Sequence, residues 1–230
     1  MKLRVYLLLF VFLTGCSQHI NSRHSILGTT YGWDASQVTV LADVQVSGLR
    51  VRHVRMPESL CVSGYKDHLE LHGPIGPDST AVLERMLLKL HSCITKDGKG
   101  FSNMVFLSSG GGILSDGYNM GNLFRKYQVT TIVTGGQTCA SSCAVAFLGG
   151  KFRTMSHDAK LIFHSPYSQT GIGIDCTDRG HVSGLQDYFV SALGSSDGKF
   201  LLDRTLSYCS DRSGWTLNRD AAMLFNMLTN

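Results

Sequence analysis

The sequence predicts an α/β domain built on a mainly parallel sheet that helices cover. Short apolar, β-branched runs, such as residues 104–107 and 129–133, alternate with segments that carry apolar residues at helical spacing. This alternation is typical of parallel strands joined by crossover helices. The 230 residues are 43% hydrophobic and 17% charged with a formal charge of +4, which excludes a disordered chain.

The individual elements follow from this patterning. Valines among polar residues predict a strand within 38–46, and the alternation over 68–72 predicts another. A Gly- and Pro-rich turn comes next, and Asp78 or Ser79 can cap the helix that follows it. The remaining expected elements are a helix over 115–127, a helix of small residues over 141–148, a strand over 160–164, a loop over 171–179 and two or three helices within 183–228.

The N-terminus has the pattern of a bacterial lipoprotein signal. Lys2 and Arg4 precede an apolar run over 5–13, which is shorter than the roughly 20 residues of a membrane-spanning helix. The sequence LTGC over 13–16 resembles a lipoprotein box, which implies cleavage before Cys16 and lipid on its thiol. An ordinary secretory signal with an incidental cysteine is the alternative.

We therefore expect a chain in three parts. Residues 1–15 are the predicted signal peptide, residues 16–35 a tether and residues 36–230 a single domain. The predicted location is the bacterial cell envelope, with the protein facing the periplasm and attached to the membrane by its N-terminal lipid. Ser17 is not the Asp that favours retention at the inner membrane, so the outer membrane is the expected site.

Cysteine usage fits an oxidising compartment. Six cysteines follow Cys16, and six allow fifteen pairings among which the sequence does not choose. Cys139 and Cys143 lie four residues apart and are a candidate local disulfide. Metal binding by this pair is disfavoured, because no second Cys/His pair at ligand spacing accompanies it. We expect no metal and no cofactor, and the absence of a basic run disfavours nucleic acid as a partner.

Three segments carry the chemistry. A glycine loop over 109–112 follows a predicted strand, Ser141 and Ser142 open a predicted helix, and His164 closes an apolar strand. Taken alone, these segments are typical of a turn, a helix cap and a structural histidine. Together they lie at strand ends, which is where parallel sheets carry their active sites.

The order of these segments resembles the ClpP family of serine peptidases, within the ClpP/crotonase superfamily. The similar motifs are HLELHGPIG over 68–76, SSGG over 108–111, GQTCASS over 136–142 and IFHSP over 162–166. The similarity extends from about His68 to Leu228. It implies a ClpP/crotonase-like fold of repeated ββα units with a mainly parallel buried sheet.

The resemblance also implies the catalytic residues. Ser141 corresponds to the nucleophile, His164 to the general base and Asp211 to the third member of a Ser-His-Asp triad. Asp203 and Asp187 are the alternatives to Asp211.

The same resemblance assigns the oxyanion hole to two backbone amides. These are the N–H groups of Gly111 and Ser142. Ser142 is in addition the competing nucleophile, because its hydroxyl lies one residue from that of Ser141.

The function predicted from these features is an exported, lipid-anchored serine hydrolase that acts as a peptidase. Its expected partners are a peptide or protein substrate, the membrane and a second copy of the chain. The alternative is a catalytically inactive ClpP-like binding or scaffold lipoprotein of the cell envelope. A crotonase-type enzyme is disfavoured, since acyl-CoA is not expected outside the cytoplasm.

Overall fold

A computed structural model of the chain describes residues 38–170, 173–176, 182–210 and 212–229. No helix in this part of the chain is both long and apolar enough to cross a membrane. The helices are α1 (Ser79–Leu87), α2 (Leu114–Lys126), α3 (Ser142–Phe147), α4 (Ser183–Leu193), α5 (Ser195–Leu206) and α6 (Arg219–Leu224). The strands are β1 (Thr39–Val46), β2 (Leu49–Pro57), β3 (Tyr65–His72), β4 (Cys93–Ile94), β5 (Gly100–Phe101), β6 (Met104–Ser108), β7 (Thr130–Val133), β8 (Thr138–Ala140), β9 (Phe152–Met155), β10 (Lys160–Phe163), β11 (Tyr167–Thr170), β12 (Gly173–Cys176) and β13 (Trp215–Leu217).

Six of these strands form the main sheet, in the order β1-β2-β3-β6-β7-β9. The pairs β1/β2 and β2/β3 are antiparallel, whereas β3/β6, β6/β7 and β7/β9 are parallel. The predicted α/β fold with a mainly parallel sheet is therefore confirmed. A smaller sheet, β13-β10-β8, stands beside it.

The hydrophobic core lies between the main sheet and the helices. Leu69, Leu71 and Leu107 of the sheet pack in one buried cluster with Phe124 of α2 and Phe147 of α3. Every residue of α3 is buried. This short helix therefore lies inside the core and fixes the position of the residue that precedes it.

Two local predictions are wrong. Within the expected loop over 171–179, residues 173–176 form β12, which pairs with β11 as a hairpin. The side chain of Asp78 does not cap α1, because its left-handed backbone (φ 64°) does not place the carboxylate over the first turn. The Ser79 hydroxyl instead accepts a hydrogen bond from Gly76 N–H at 3.1 Å.

The strands β2 and β3 also bury charged side chains, which the hydrophobic pattern does not predict. Asp67 is fully buried and accepts hydrogen bonds from Arg55 at 2.7 Å and from His53 at 2.9 Å. Burial alone would raise the pKa of Asp67, but these bonds and the backbone N–H of His91 hold its pKa below the ordinary value. The carboxylate therefore stays charged inside the sheet.

Candidate active site

The small sheet places Ser141 and His164 at the same edge. β8 runs parallel to β10 with Ala140 opposite Ile162, so the residues that follow the two strands are neighbours. The Ser141 N–H donates to the Ile162 carbonyl at 2.8 Å. Ser141 and His164 both line a cavity of about 580 Å³.

Ser141 occupies a strained turn between β8 and α3. Its backbone has φ 56° and ψ −127°, a region that favours glycine. A sharp strand-to-helix turn of this kind lifts the middle side chain away from the backbone, as at the nucleophile of α/β-hydrolases. Ser141 is half-buried, whereas Ser142 is fully buried. Only the Ser141 hydroxyl is therefore placed to meet a substrate.

A disulfide closes this turn. Cys139 and Cys143 are bonded with their Cα atoms 5.2 Å apart, which confirms the predicted local pair. Both cysteines are buried, at 0% and 1% exposure. The remaining cysteines of the described chain form two further bonds, Cys61–Cys93 and Cys176–Cys209. The turn over residues 140–142, called the nucleophile turn after the predicted role of Ser141, is thus closed covalently by the cysteines on either side of it.

The His164 ring has the tautomer that a general base needs. Its Nδ1 lies 2.9 Å from the Ser165 carbonyl oxygen. A carbonyl can only accept, so Nδ1 carries a proton, and in the neutral imidazole this leaves the lone pair on Nε2. The ring also lies 5.7 Å from the ring of Tyr167. The Ser165 carbonyl orients the imidazole through Nδ1, which is the role that a triad carboxylate usually has.

None of the three carboxylates predicted for the triad is seen beside His164 in the described part of the chain. Asp211 lies outside the described residues, so its role stays a prediction. Asp203 and Asp187 are exposed on α5 and α4, and neither lines the cavity. The Ser165 N–H donates to the Tyr208 carbonyl at 2.9 Å, which places the segment that leads to Asp211 beside His164. The structure shows no direct hydrogen bond between the side chains of Ser141 and His164, both of which it describes; in enzymes such bonds often form only when substrate binds.

The glycine loop lies against the nucleophile turn. A Cβ atom on Gly111 would lie 2.6 Å from both the Ala140 carbonyl oxygen and Ser141 Cβ. The Gly111 N–H donates to the Ser109 hydroxyl at 3.0 Å, and the Gly111 carbonyl accepts from Ile75 N–H at 2.8 Å. Only a glycine permits this approach, and the predicted amide of Gly111 already has an acceptor.

Gly112 is a candidate site residue that the sequence analysis did not single out. The trans peptide between Gly111 and Gly112 directs its N–H opposite to its C=O, and therefore away from Ile75. Gly112 also lines the cavity together with Ser141, which Gly111 does not. Three successive glycines were the available signal, but only the hydrogen bond from Ile75 shows that the Gly112 N–H points away from Ile75.

Comparison with solved structures identifies the architecture. No protein-family model and no curated protein matches the sequence. A mutant of 1510-N, a membrane-bound stomatin-specific protease, superimposes with a TM-score of 0.51 at 15% identity, over 69% of this chain and 75% of that one. A ClpP1 mutant from Listeria monocytogenes gives 0.50 at 16% identity, over 69% and 86%. The chain has a ClpP-like protease fold.

A further neighbour carries a ligand. A second 1510-N mutant, in complex with a substrate peptide, matches with a TM-score of 0.51 at 15% identity, over 69% of this chain and 71% of that one. At these identities the similarity establishes the fold alone.

Proposed function

We propose that the protein is a serine hydrolase that cleaves peptides, with Ser141 as its nucleophile. The observation that carries the proposal is the strained, disulfide-closed turn that presents Ser141 to the cavity lined by His164. Strain of this kind costs about 1–3 kcal/mol and persists only where the surrounding structure enforces it. Such strain is concentrated at active sites, and a purely structural serine has no need of it.

The proposed mechanism uses groups that are already oriented. His164 Nε2 takes the proton of Ser141 as the Ser141 oxygen attacks the substrate carbonyl carbon. The Ser165 carbonyl keeps Nδ1 protonated and stabilises the imidazolium. The N–H groups of Ser142 and Gly112 stabilise the oxyanion. His164 then returns the proton to the leaving amine, and water releases the acyl group from Ser141.

The Gly111 N–H and the Asp211 carboxylate, which the sequence analysis assigned to the site, also have a place in this mechanism. The Gly111 N–H can join the oxyanion hole only by exchanging its bond to Ser109 Oγ. Asp211 remains the proposed third member of the triad, a role that it can take only by replacing the Ser165 carbonyl at His164 Nδ1.

A fluorophosphonate probe tests the nucleophile. We expect the wild-type protein to be labelled, Ser141→Ala to lose all labelling, and Ser142→Ala to be labelled at the wild-type rate because Ser142 is fully buried. Intact-mass spectrometry measures the adduct, and circular dichroism shows that each variant is folded. Labelling lost only in Ser142→Ala would move the nucleophile by one residue. A folded wild-type protein that is never labelled would make the binding or scaffold lipoprotein the better description.

We also propose that the protein is exported and anchored by lipid on Cys16. The pairing of all six later cysteines supports an oxidising compartment. An alkyne-tagged fatty acid supplied to bacteria that express the full chain should label the wild-type protein and Ser17→Ala, and should not label Cys16→Ala. A Cys16→Ala protein that is labelled and sediments with membranes would contradict the anchor.

A further inference from the structure

The cavity beside Ser141 has a mouth and a deep end. Ile113 is 40% exposed and marks the mouth. Val145, Phe163 and Leu185 are each at most 3% exposed and form the deep walls. The described residues that line the cavity include no Asp, Glu, Lys or Arg. The cavity is therefore shaped for an uncharged side chain with a largely apolar body.

Ser141, His164, Tyr167 and Gln169 bring polar groups to the more open part of this lining, whereas one polar side chain lies fully buried among the apolar walls. Thr205, near the end of α5, lines the same cavity and is 3% exposed. Its hydroxyl is buried and has no hydrogen-bond partner within the described chain. A helical threonine commonly satisfies its hydroxyl at a carbonyl one turn earlier, and Thr205 does not. A buried hydroxyl without a partner destabilises a fold, so a valine would be expected here if packing alone mattered.

We propose that Thr205 determines specificity by pairing with the phenolic hydroxyl of a substrate tyrosine at the acyl side of the cleaved bond. The inference rests on the proposed function, since the cavity is adjacent to Ser141. Thr205 lines the cavity while its hydroxyl is shielded from solvent, and rotation about the Cα–Cβ bond to another staggered rotamer would turn this hydroxyl towards a bound side chain. A phenol has one donor and can accept, which matches one threonine hydroxyl.

Other side chains match the cavity less well. A phenylalanine or leucine fills the apolar walls but leaves the Thr205 hydroxyl without a partner. Lysine, arginine, aspartate and glutamate meet no opposite charge among the described lining residues. Glutamine brings an amide with both an oxygen and an NH₂ group, which one hydroxyl cannot satisfy.

The test compares two covalent probes that differ by one oxygen atom. They are peptidyl diphenyl phosphonates of identical sequence with a tyrosine or a phenylalanine side chain next to phosphorus. We expect the wild-type protein to react about fivefold to tenfold faster with the tyrosine probe, as one neutral hydrogen bond allows. Thr205→Val should reduce the tyrosine rate to the phenylalanine rate and leave the latter unchanged. Thr205→Ser, which keeps the hydroxyl, should retain the preference for tyrosine.

Each other outcome overturns the inference. A ratio that Thr205→Val does not change, a wild-type preference for phenylalanine, or no reaction with either probe would each remove Thr205 as the determinant. The simple fluorophosphonate, applied to the same samples, separates this failure from failure of the proposed function. If it labels wild type and Thr205→Val equally, Ser141 is an active nucleophile whatever the phosphonates show. If it labels neither folded protein, the proposed function itself fails.

Discussion

Replacing Gly111 with alanine is expected to reduce the rate of fluorophosphonate labelling at Ser141 at least 100-fold. The new Cβ would lie 2.6 Å from Ser141 Cβ and from the Ala140 carbonyl oxygen, and neither atom can move without distorting the nucleophile turn. The φ of +94° at Gly111 adds backbone strain for any L-residue. Displacing the loop also moves the Gly112 amide, and loss of one oxyanion donor typically costs about 10²–10³ in rate.

The chain supplies a matched control for this substitution. Gly110 precedes Gly111, lines the mouth of the cavity and has open space where a Cβ would stand. We expect Gly110→Ala to label within about twofold of wild type and to melt at the same temperature, as neutral surface substitutions do. Stopped-time labelling and thermal denaturation measure both properties. Gly111→Ala labelled as fast as Gly110→Ala would show that the loop has no part in the reaction.

The positions of Ser141 and His164 could be predicted because they depend on local signals. Each follows a short apolar strand, and parallel strands bring their carboxyl ends to one edge of the sheet. Because the two strands end at the same edge, Ser141 and His164 line the same cavity. The mainly parallel character of the sheet followed in the same way from the alternation of strands and helices, whereas the strand order was not predicted.

Features that depend on long-range hydrogen bonds could not be predicted. The proposal of the Gly112 amide in place of the Gly111 amide depends on a hydrogen bond from Ile75, which lies far from the glycine loop in the sequence. Strand β2 was not predicted because it carries the polar residues Arg52 and His53. Their burial depends on partners in β3: Glu70 pairs with Arg52, and Asp67 pairs with His53. A hydrophobic pattern contains no information on such partners.

Removing the Cys139–Cys143 disulfide is expected to reduce labelling of Ser141 about tenfold or more. The bond encloses the strained turn, whose conformation costs about 1–3 kcal/mol relative to an allowed one. Without it the turn can relax, and the reactive geometry becomes a minor conformer whose population sets the rate. The free energy of unfolding should fall by only about 2 kcal/mol, because the loop that this disulfide closes is short. Both sulfurs are buried, so replacement of Cys139 and Cys143 by alanine is a cleaner test than mild reduction.

The Cys61–Cys93 disulfide is expected to affect stability and not the labelling of Ser141. It closes a loop with a sequence separation of 32, so the chain-entropy model assigns it about 4 kcal/mol. Neither cysteine lines the cavity of Ser141. Replacing both by alanine should therefore lower the melting temperature more than loss of Cys139–Cys143 while leaving the labelling rate unchanged below that temperature. If the Cys139/Cys143 double variant labels as fast as wild type, the disulfide does not maintain the reactive turn, and packing of α3 alone must hold Ser141 in place.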